Sequence, residues 1–192
     1  MRRLCVFCGS SPGNDGVYVE AARRLGRAMA LGGVGLVYGG GHIGLMGVLA
    51  DEILAVGGSA YGVIPRSMVE RELAHRGLTE LHVVETMHQR KALMADLADG
   101  FAALPGGFGT ADELFEILTW AQLGMHAKPI GLLNVGGFFD ALLAWVDRCV
   151  ADGFVLPEHR ALLRVGDDEQ SLLHGLKELP PAPPKVLPGS VR

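Results

Sequence analysis

Short β-branched or apolar runs recur at about 3–8, 34–38, 59–64, 81–85, 101–104 and 129–134, and longer stretches with helical periodicity separate most of them. Those stretches lie at about 15–31, 43–56, 87–98, 111–124, 137–152 and 169–177, several closed by glycine, as at Gly32-Gly33 and Gly57-Gly58. Strands that alternate with helices pair in parallel, and a parallel sheet is covered on both faces. The pattern therefore predicts a Rossmann-like, doubly wound α/β fold. It lapses between residues 65 and 79, where Arg66, Glu70, Arg71, Glu72 and Arg76 crowd the connection between two strands. That segment reads as an exposed loop or short helix, suited to form a flap.

No internal repeat and no second composition regime interrupts the chain, so one domain over residues 1–179 is the simplest partition. Five of the ten prolines fall between Pro180 and Pro188, a composition that favours extended polyproline structure, and residues 180–192 are expected to be a disordered tail. With 192 residues and 49% apolar content the chain can bury a full core. Its 17 basic and 21 acidic residues, net −4, leave no broad positive surface for a nucleic acid. Three cysteines, two of them Cys5 and Cys8 in one short apolar run, suit neither a disulfide framework nor a zinc site and point to a reducing cytoplasm. Met1-Arg2-Arg3 before Leu4–Cys8 imitates a secretory signal, but the apolar stretch is too short. Asp140 breaks the best candidate for a membrane span, so no membrane association is expected.

The strands of a parallel sheet end at one edge, where open α/β folds bind ligands. Three of the predicted strand ends carry glycine-rich turns that lead into helices: Cys8-Gly9-Ser10-Ser11-Pro12-Gly13, Tyr38-Gly39-Gly40-Gly41-His42-Ile43-Gly44 and Leu104-Pro105-Gly106-Gly107-Phe108-Gly109-Thr110. Glycine admits close approach of a ligand, and helix N-termini present free N–H groups, so the turns suit phosphate. Ser10, Gly40, Gly41, Gly106, Gly107, Gly109 and Thr110 are the candidate contacts. Tight strand–helix packing explains any one such turn equally well. Gly39, Gly41 and Gly44 match G-x-G-x-x-G, yet Ile64-Pro65-Arg66-Ser67 stands where a dinucleotide site wants an acidic residue, and no P-loop motif occurs. A mononucleotide remains open.

Thr110 and Glu113 have the spacing of a capping box. Asp112, Glu113 and Glu116 nevertheless supply more acid than a cap requires, beside a loop suited to an anion. A carboxylate there could face the positive charge of an oxocarbenium-like transition state and orient the attacking water. Arg90 and Lys91 open another helix, where the macrodipole disfavours cations by about 0.3–1 kcal/mol, and an anionic ligand would compensate; a solvated pair is the plain alternative. His88 reads as a cap or surface residue. Cys5 and Cys8 point to opposite faces of a strand, and neither metal-ligand spacing among the histidines nor a nucleophile elbow is present.

Met87-His88-Gln89-Arg90-Lys91 and Pro105-Gly106-Gly107-Phe108-Gly109-Thr110-Ala111-Asp112-Glu113 together resemble the paired signature of the LONELY GUY (LOG) family of cytokinin riboside 5′-monophosphate phosphoribohydrolases. The resemblance extends from Val6–Ser11 through Tyr38–Gly41 to Thr119–Gly124 and Lys128–Asn134. It implies that Arg90 and Glu113 form a catalytic pair, that Gly106 to Thr110 cradle the phosphate, and that Glu72, Lys91, Glu116 and Thr119 help form the substrate pocket. Glu70 precedes Arg71 where relatives usually have proline, which sets the Glu72 contact apart. The implied reaction releases free base and ribose 5-phosphate from AMP or N6-prenylated AMP, with neither metal nor organic cofactor. A homodimer is implied as well; the apolar stretch Leu114–Leu123 suits an interface or the core of one subunit equally. Two rival readings are a nucleotide carrier without turnover and a pyridoxal-phosphate decarboxylase built on a lysine.

Overall fold

In the computed structural model, which describes residues 1–69, 71 and 73–178, seven parallel strands form one sheet in the order β4-β3-β2-β1-β5-β6-β7. The strands are β1 Arg3–Phe7, β2 Gly35–Tyr38, β3 Ala60–Pro65, β4 Glu80–Val84, β5 Gly100–Ala103, β6 Ile130–Leu133 and β7 Leu163–Gly166. The helices are α1 Gly16–Leu31, α2 Gly44–Ala55, α3 Arg66–Val69, α4 Met87–Leu97, α5 Phe108–Gln122, α6 Asp140–Ala151, α7 Pro157–Arg160 and α8 Glu169–Glu178. The doubly wound Rossmann-like expectation holds. The proline-rich tail and Glu72 lie outside the described residues.

Side-chain alternation along the strands builds two cores, one on each face. Leu4, Val6, Leu36 and Tyr38 pack with Leu25, Leu49 and Leu172 of α1, α2 and α8. Cys5, Phe7, Val37 and Phe101 face the other way, against Met94 of α4 and Leu114 and Ile117 of α5. The two thiols of the C-x-x-C run therefore enter opposite cores, Cys8 in the first and Cys5 in the second.

All six sequence-predicted strands form, but β7 and the short α7 were not anticipated. β7 is an edge strand in which only Leu163 and Gly166 are buried, so its four residues carry too little apolar signal to stand out. The 65–79 segment contains the four-residue α3, then doubles back to an antiparallel bridge between Ala74 and Gly41. No helix among the described residues is long and apolar enough to cross a membrane.

Phe101 on β5 is fully buried and stacks on Phe7 with ring centroids 6.0 Å apart. Phe101→Ala should cost about 3–5 kcal/mol of stability through the cavity it leaves, read from urea unfolding midpoints at unchanged m-value.

Candidate active site

The chain leaves the neighbouring strands β1 and β5 toward opposite faces of the sheet, β1 into α1 and β5 into α5. Such a divergence opens a crevice at the carboxyl edge. Phe7 pairs with Ala103, so the turns that follow leave side by side, and Gly9 N–H donates to Pro105 O at 3.1 Å. The turn after β2 joins them: Leu45 N–H donates to Gly9 O at 3.0 Å, and Gly44, at φ +60°, lies so close to Ser10 that a Cβ would sit 2.2 Å from its carbonyl carbon. The three glycine-rich turns thus meet at one place.

Sequence spacing puts the start of α5 at residue 111 and leaves a Thr110–Glu113 capping box as the alternative to a catalytic Glu113; the structure corrects the start and forms no such box. The helix begins at Phe108 and its N-cap is Gly107, which provides no side-chain cap. Thr110 lies inside the first turn, buried against Gly106, where a Cβ would stand 2.1 Å from the Thr110 hydroxyl. The intrahelical ladder starts with Ala111 N–H on Gly107 O, leaving the N–H groups of Phe108, Gly109 and Thr110 without a helical acceptor. Together with the positive end of a fifteen-residue helix they make a seat for an anion. Freed from capping, Glu113 turns into the crevice.

A capping box does occur, on α4, where Thr86 Oγ1 accepts from Gln89 N–H and Gln89 Oε1 accepts from Thr86 N–H. The helix begins at Met87 as the periodicity predicts, so Arg90 and Lys91 are its fourth and fifth residues, where the first turn closes. Arg90 is only 8% exposed. Its guanidinium reaches across the strand ends, Nε donating to Val63 O at 3.1 Å and Nη2 to Gly39 O at 3.1 Å. Gly39 has to be glycine for this contact, since a Cβ there would lie 1.7 Å from Nη2. The remaining Nη1 stands 3.6 Å from Glu113 Oε1.

Burial pushes the Glu113 carboxyl above its ordinary pKa; Arg90 opposes the shift and Asp112 adds to it. One turn farther along α5, Lys91 Nζ lies 3.1 Å from Glu116 Oε1 and 3.2 Å from Asp112 Oδ2. Burial works against the ammonium charge, but the hydrogen bonds to Glu116 and Asp112 outweigh it and hold Lys91 above the ordinary lysine range.

Arg90 and Glu113 face a cavity of about 400 Å³, within the usual range for small-ligand sites. Of the candidate contacts, Ser10, Gly41, Gly107, Gly109 and Thr110 line it. Gly106 lies behind the loop, on an adjoining recess of about 280 Å³. Gly40 does not line the cavity; at φ +73°, with Ile64 and Leu81 3.2 Å from where a Cβ would be, it shapes the turn. Lys91 and Glu116 flank the pair. Thr119 is not brought to the cavity: its hydroxyl donates to Phe115 O at 2.7 Å and it borders a separate apolar recess of about 190 Å³ beside Trp145. Sequence reasoning missed the apolar wall of Ile43, Met46, Ile64, Met68, Leu73 and Met87. Met87 and Ile43 fell within recognised motifs, and nothing distinguishes the other four from core.

A family model described as "Possible lysine decarboxylase" matches residues 46–176. The chain is 51% identical over 180 residues to the probable cytokinin riboside 5′-monophosphate phosphoribohydrolase LOGL9 of Oryza sativa subsp. japonica, covering 94% of this chain and 79% of that one. It is 47% identical to the cytokinin riboside 5′-monophosphate phosphoribohydrolase LOG2 of Arabidopsis thaliana, covering 94% of this chain and 84% of the relative. The chain belongs to the LOG family. Among solved structures, the Moco carrier protein of Chlamydomonas reinhardtii shares the fold at a TM-score of 0.68 and 20% identity, over 91% of this chain and 94% of that one.

The lysine decarboxylase description implies pyridoxal phosphate on a neutral lysine amine. This LOG-family site does not fit it. Among the described residues, Lys91 is clasped by two carboxylates that favour its charged form, Lys128 donates to Ala95 O at 2.6 Å, and Lys177 is exposed on α8.

Gly39→Ala should displace the Arg90 guanidinium and remove the attraction that restrains the Glu113 pKa. In a carboxyl-resolved NMR titration Glu113 is then expected to titrate at higher pH than in the unaltered protein.

Proposed function

We propose that this chain hydrolyses the N-glycosidic bond of a purine nucleoside 5′-monophosphate, AMP or N6-prenylated AMP, giving the free base and ribose 5-phosphate. The observation that carries the reading is the buried Arg90–Glu113 pair, 3.6 Å apart, beside an uncapped helix start in one cavity. The naming of LOG-family relatives as phosphoribohydrolases supports it.

In this reading the phosphate sits on the N–H groups that open α5, with Ser10, Gly107, Gly109 and Thr110 around it. The ribose then lies over Glu113. As the C1′–N bond breaks, positive charge grows on C1′ and the ring oxygen, and the Glu113 carboxylate stabilises it at short range in a water-poor site. The same carboxylate takes a proton from the attacking water, whose oxygen bonds to C1′. The departing base takes up the balancing proton at its nitrogen. Arg90, fixed by Gly39 O and Val63 O, holds Glu113 in position and draws its pKa down against the larger effect of burial.

A homodimer belongs to the same proposal. Trp145, more than half exposed, lines the apolar recess between α5 and α6, and Leu123, Met125 and Phe154, which follow those two helices, are more than half exposed as well, apolar surface that a second copy would cover. One hydrolase domain over residues 1–179 in the cytoplasm, acting on a small molecule rather than nucleic acid or membrane, completes it; the free Cys5, Cys8 and Cys149 and the net charge of −4 support that setting.

Purified protein is expected to release adenine from AMP, followed by chromatography of the free base, with isopentenyl-AMP, GMP and CMP run in parallel. Glu113→Ala and Arg90→Ala should each lower kcat/KM by about 100-fold or more, while Glu113→Ala still binds nucleotide. Binding without release of any base would instead make the chain a carrier.

The raised Glu113 pKa carries two further expectations. The acid limb of kcat/KM should fall at higher pH than an ordinary glutamate would set, because the carboxylate must be ionised to act. For stability the sign is reversed: the folded chain holds its proton more tightly than the unfolded chain, so stability falls as pH rises from the unfolded to the folded pKa, and the loss is complete above that window. Glu113→Gln, which has no charge to desolvate, should therefore be inactive yet melt at a higher temperature than the unaltered protein at pH 7.

A further inference from the structure

The described residues between 66 and 79 (66–69, 71 and 73–79) belong to a strap that supplies one wall of the cavity through Met68 and Leu73. The strap hangs from the turn that also anchors Arg90. Gly41 and Ala74 form the antiparallel bridge, His75 N–H donates to Gly40 O at 2.9 Å, and His42 N–H donates to Leu73 O at 3.1 Å, with His42 Nδ1 on the same carbonyl at 3.0 Å. All of these contacts join the strap to residues 40–42. Its two ends are tied separately, Arg66 to Glu85 and Thr79 to Ala60. Between those ends a contact reaches the body of the sheet-packed helix α2, where His75 Nε2 lies 3.0 Å from Asp51 Oδ1.

The hydrogen bonds of His75 define its tautomer. Gly77 N–H lies 3.0 Å from His75 Nδ1, and a backbone amide only donates, so Nδ1 accepts and carries no proton. The ring proton is then on Nε2 and points at Asp51. With a side chain only 11% exposed, His75 is held between the strap's own backbone and α2, while Asp51, 72% exposed, meets it from the surface. Both ring nitrogens are therefore engaged in fixing where the strap lies.

We propose that His75 and Asp51 are positioning residues for the reaction: they latch the strap in its closed place, so that Met68 and Leu73 face the substrate. Neither touches the cavity, and they act through the fraction of molecules in which the wall is in place. A substrate that needs the closed form binds more weakly in proportion as that fraction falls, whereas chemistry in the closed complex is unchanged. The substrate half of this inference rests on the hydrolase reading; the latch itself does not.

Two measurements test it on the full-length protein. One is the split of KM and kcat for AMP. The other is trypsin nicking after Arg76, an exposed strap residue one position from the latch, read by mass spectrometry and independent of activity. Asp51→Ala removes the acceptor, and His75→Asn keeps a group to accept from Gly77 but falls short of Asp51. Both should weaken closure by roughly threefold to tenfold, the range set by losing one ordinary hydrogen bond; that factor is the product of the rise in KM and the acceleration of nicking at Arg76, with kcat within about twofold. Asp51→Asn retains a carbonyl acceptor, and His75→Gln places an amide donor near the Nε2 position, so both should stay near the unaltered protein. The latch is refuted if Asp51→Ala leaves nicking and KM unchanged, if Asp51→Asn is as damaging as Asp51→Ala, or if kcat falls in step with the rise in KM. Should the unaltered protein release no base at all, the hydrolase reading fails and the nicking rates still decide the latch.

Discussion

A guanidinium cannot be taken out of water without partners, because its desolvation outweighs the attraction of a single carboxylate. Arg90 meets that constraint with backbone carbonyls that a parallel sheet leaves free where its strands end. Gly39 O, just past β2, and Val63 O, inside β3, accept from it, and the missing side chain of Gly39 provides the space. The cation is thereby fixed by the sheet before any carboxylate is considered. Glu113 then needs no other anchor than the helix that carries it. The same turn supports the strap, so one four-residue segment, Gly39 to His42, holds both the charge at the floor of the cavity and part of its wall.

The charges around Glu113 are sorted rather than pooled. Arg90 faces Glu113, while Lys91 is occupied by Glu116 and Asp112, so three carboxylates stand against two cations on adjoining turns of α4 and α5. The excess is negative, which opposes a phosphate and favours a developing cation. These demands are compatible only if they fall at different ends of a ligand. The uncapped start of α5 at Phe108 lies little more than one helical turn before Glu113, so the anion seat and the acid occupy separate ends of one cavity. A helix start with donors, followed one turn later by a buried acid, meets both requirements with a single element.

Most of the architecture was legible because it depends on local periodicity. The three glycine-rich turns could be assigned to one edge since parallel strands all end there, whatever their order. That Arg90 and Glu113 lie at the same edge followed from the strands that precede them, whereas their pairing came from the family resemblance. The start of α5 was not, because Thr110 and Glu113 satisfy the spacing of a capping box; the decision lay in the contact between Thr110 and Gly106, which local sequence does not encode. β7 was missed for want of buried side chains. Thr119 was assigned to the pocket by resemblance, yet its side of α5 faces the recess with Trp145, so a helix of mixed apolar character gave no clue to which face meets which neighbour. The methionine-rich wall was invisible for the same reason: an apolar residue that lines a cavity has the composition of one that fills a core.

The fold alone does not choose between holding a nucleotide and cleaving it. The Moco carrier protein of Chlamydomonas reinhardtii has the same architecture at 20% identity, a level at which only the chain path is comparable. A pocket that merely retains an anion gains from every nearby cation and loses from every nearby carboxylate. Glu113 is therefore a cost to a carrier twice over, once through its own burial and again through repulsion of the phosphate. A cost of that kind persists where the charge interacts more strongly with the transition state than with the ground state. The decarboxylase description fails on the complementary point. It needs a lysine that surrenders its proton, and Lys91 is surrounded by groups that make it keep one. The arrangement of charge, more than the chain topology or the glycine loops, is what favours hydrolysis.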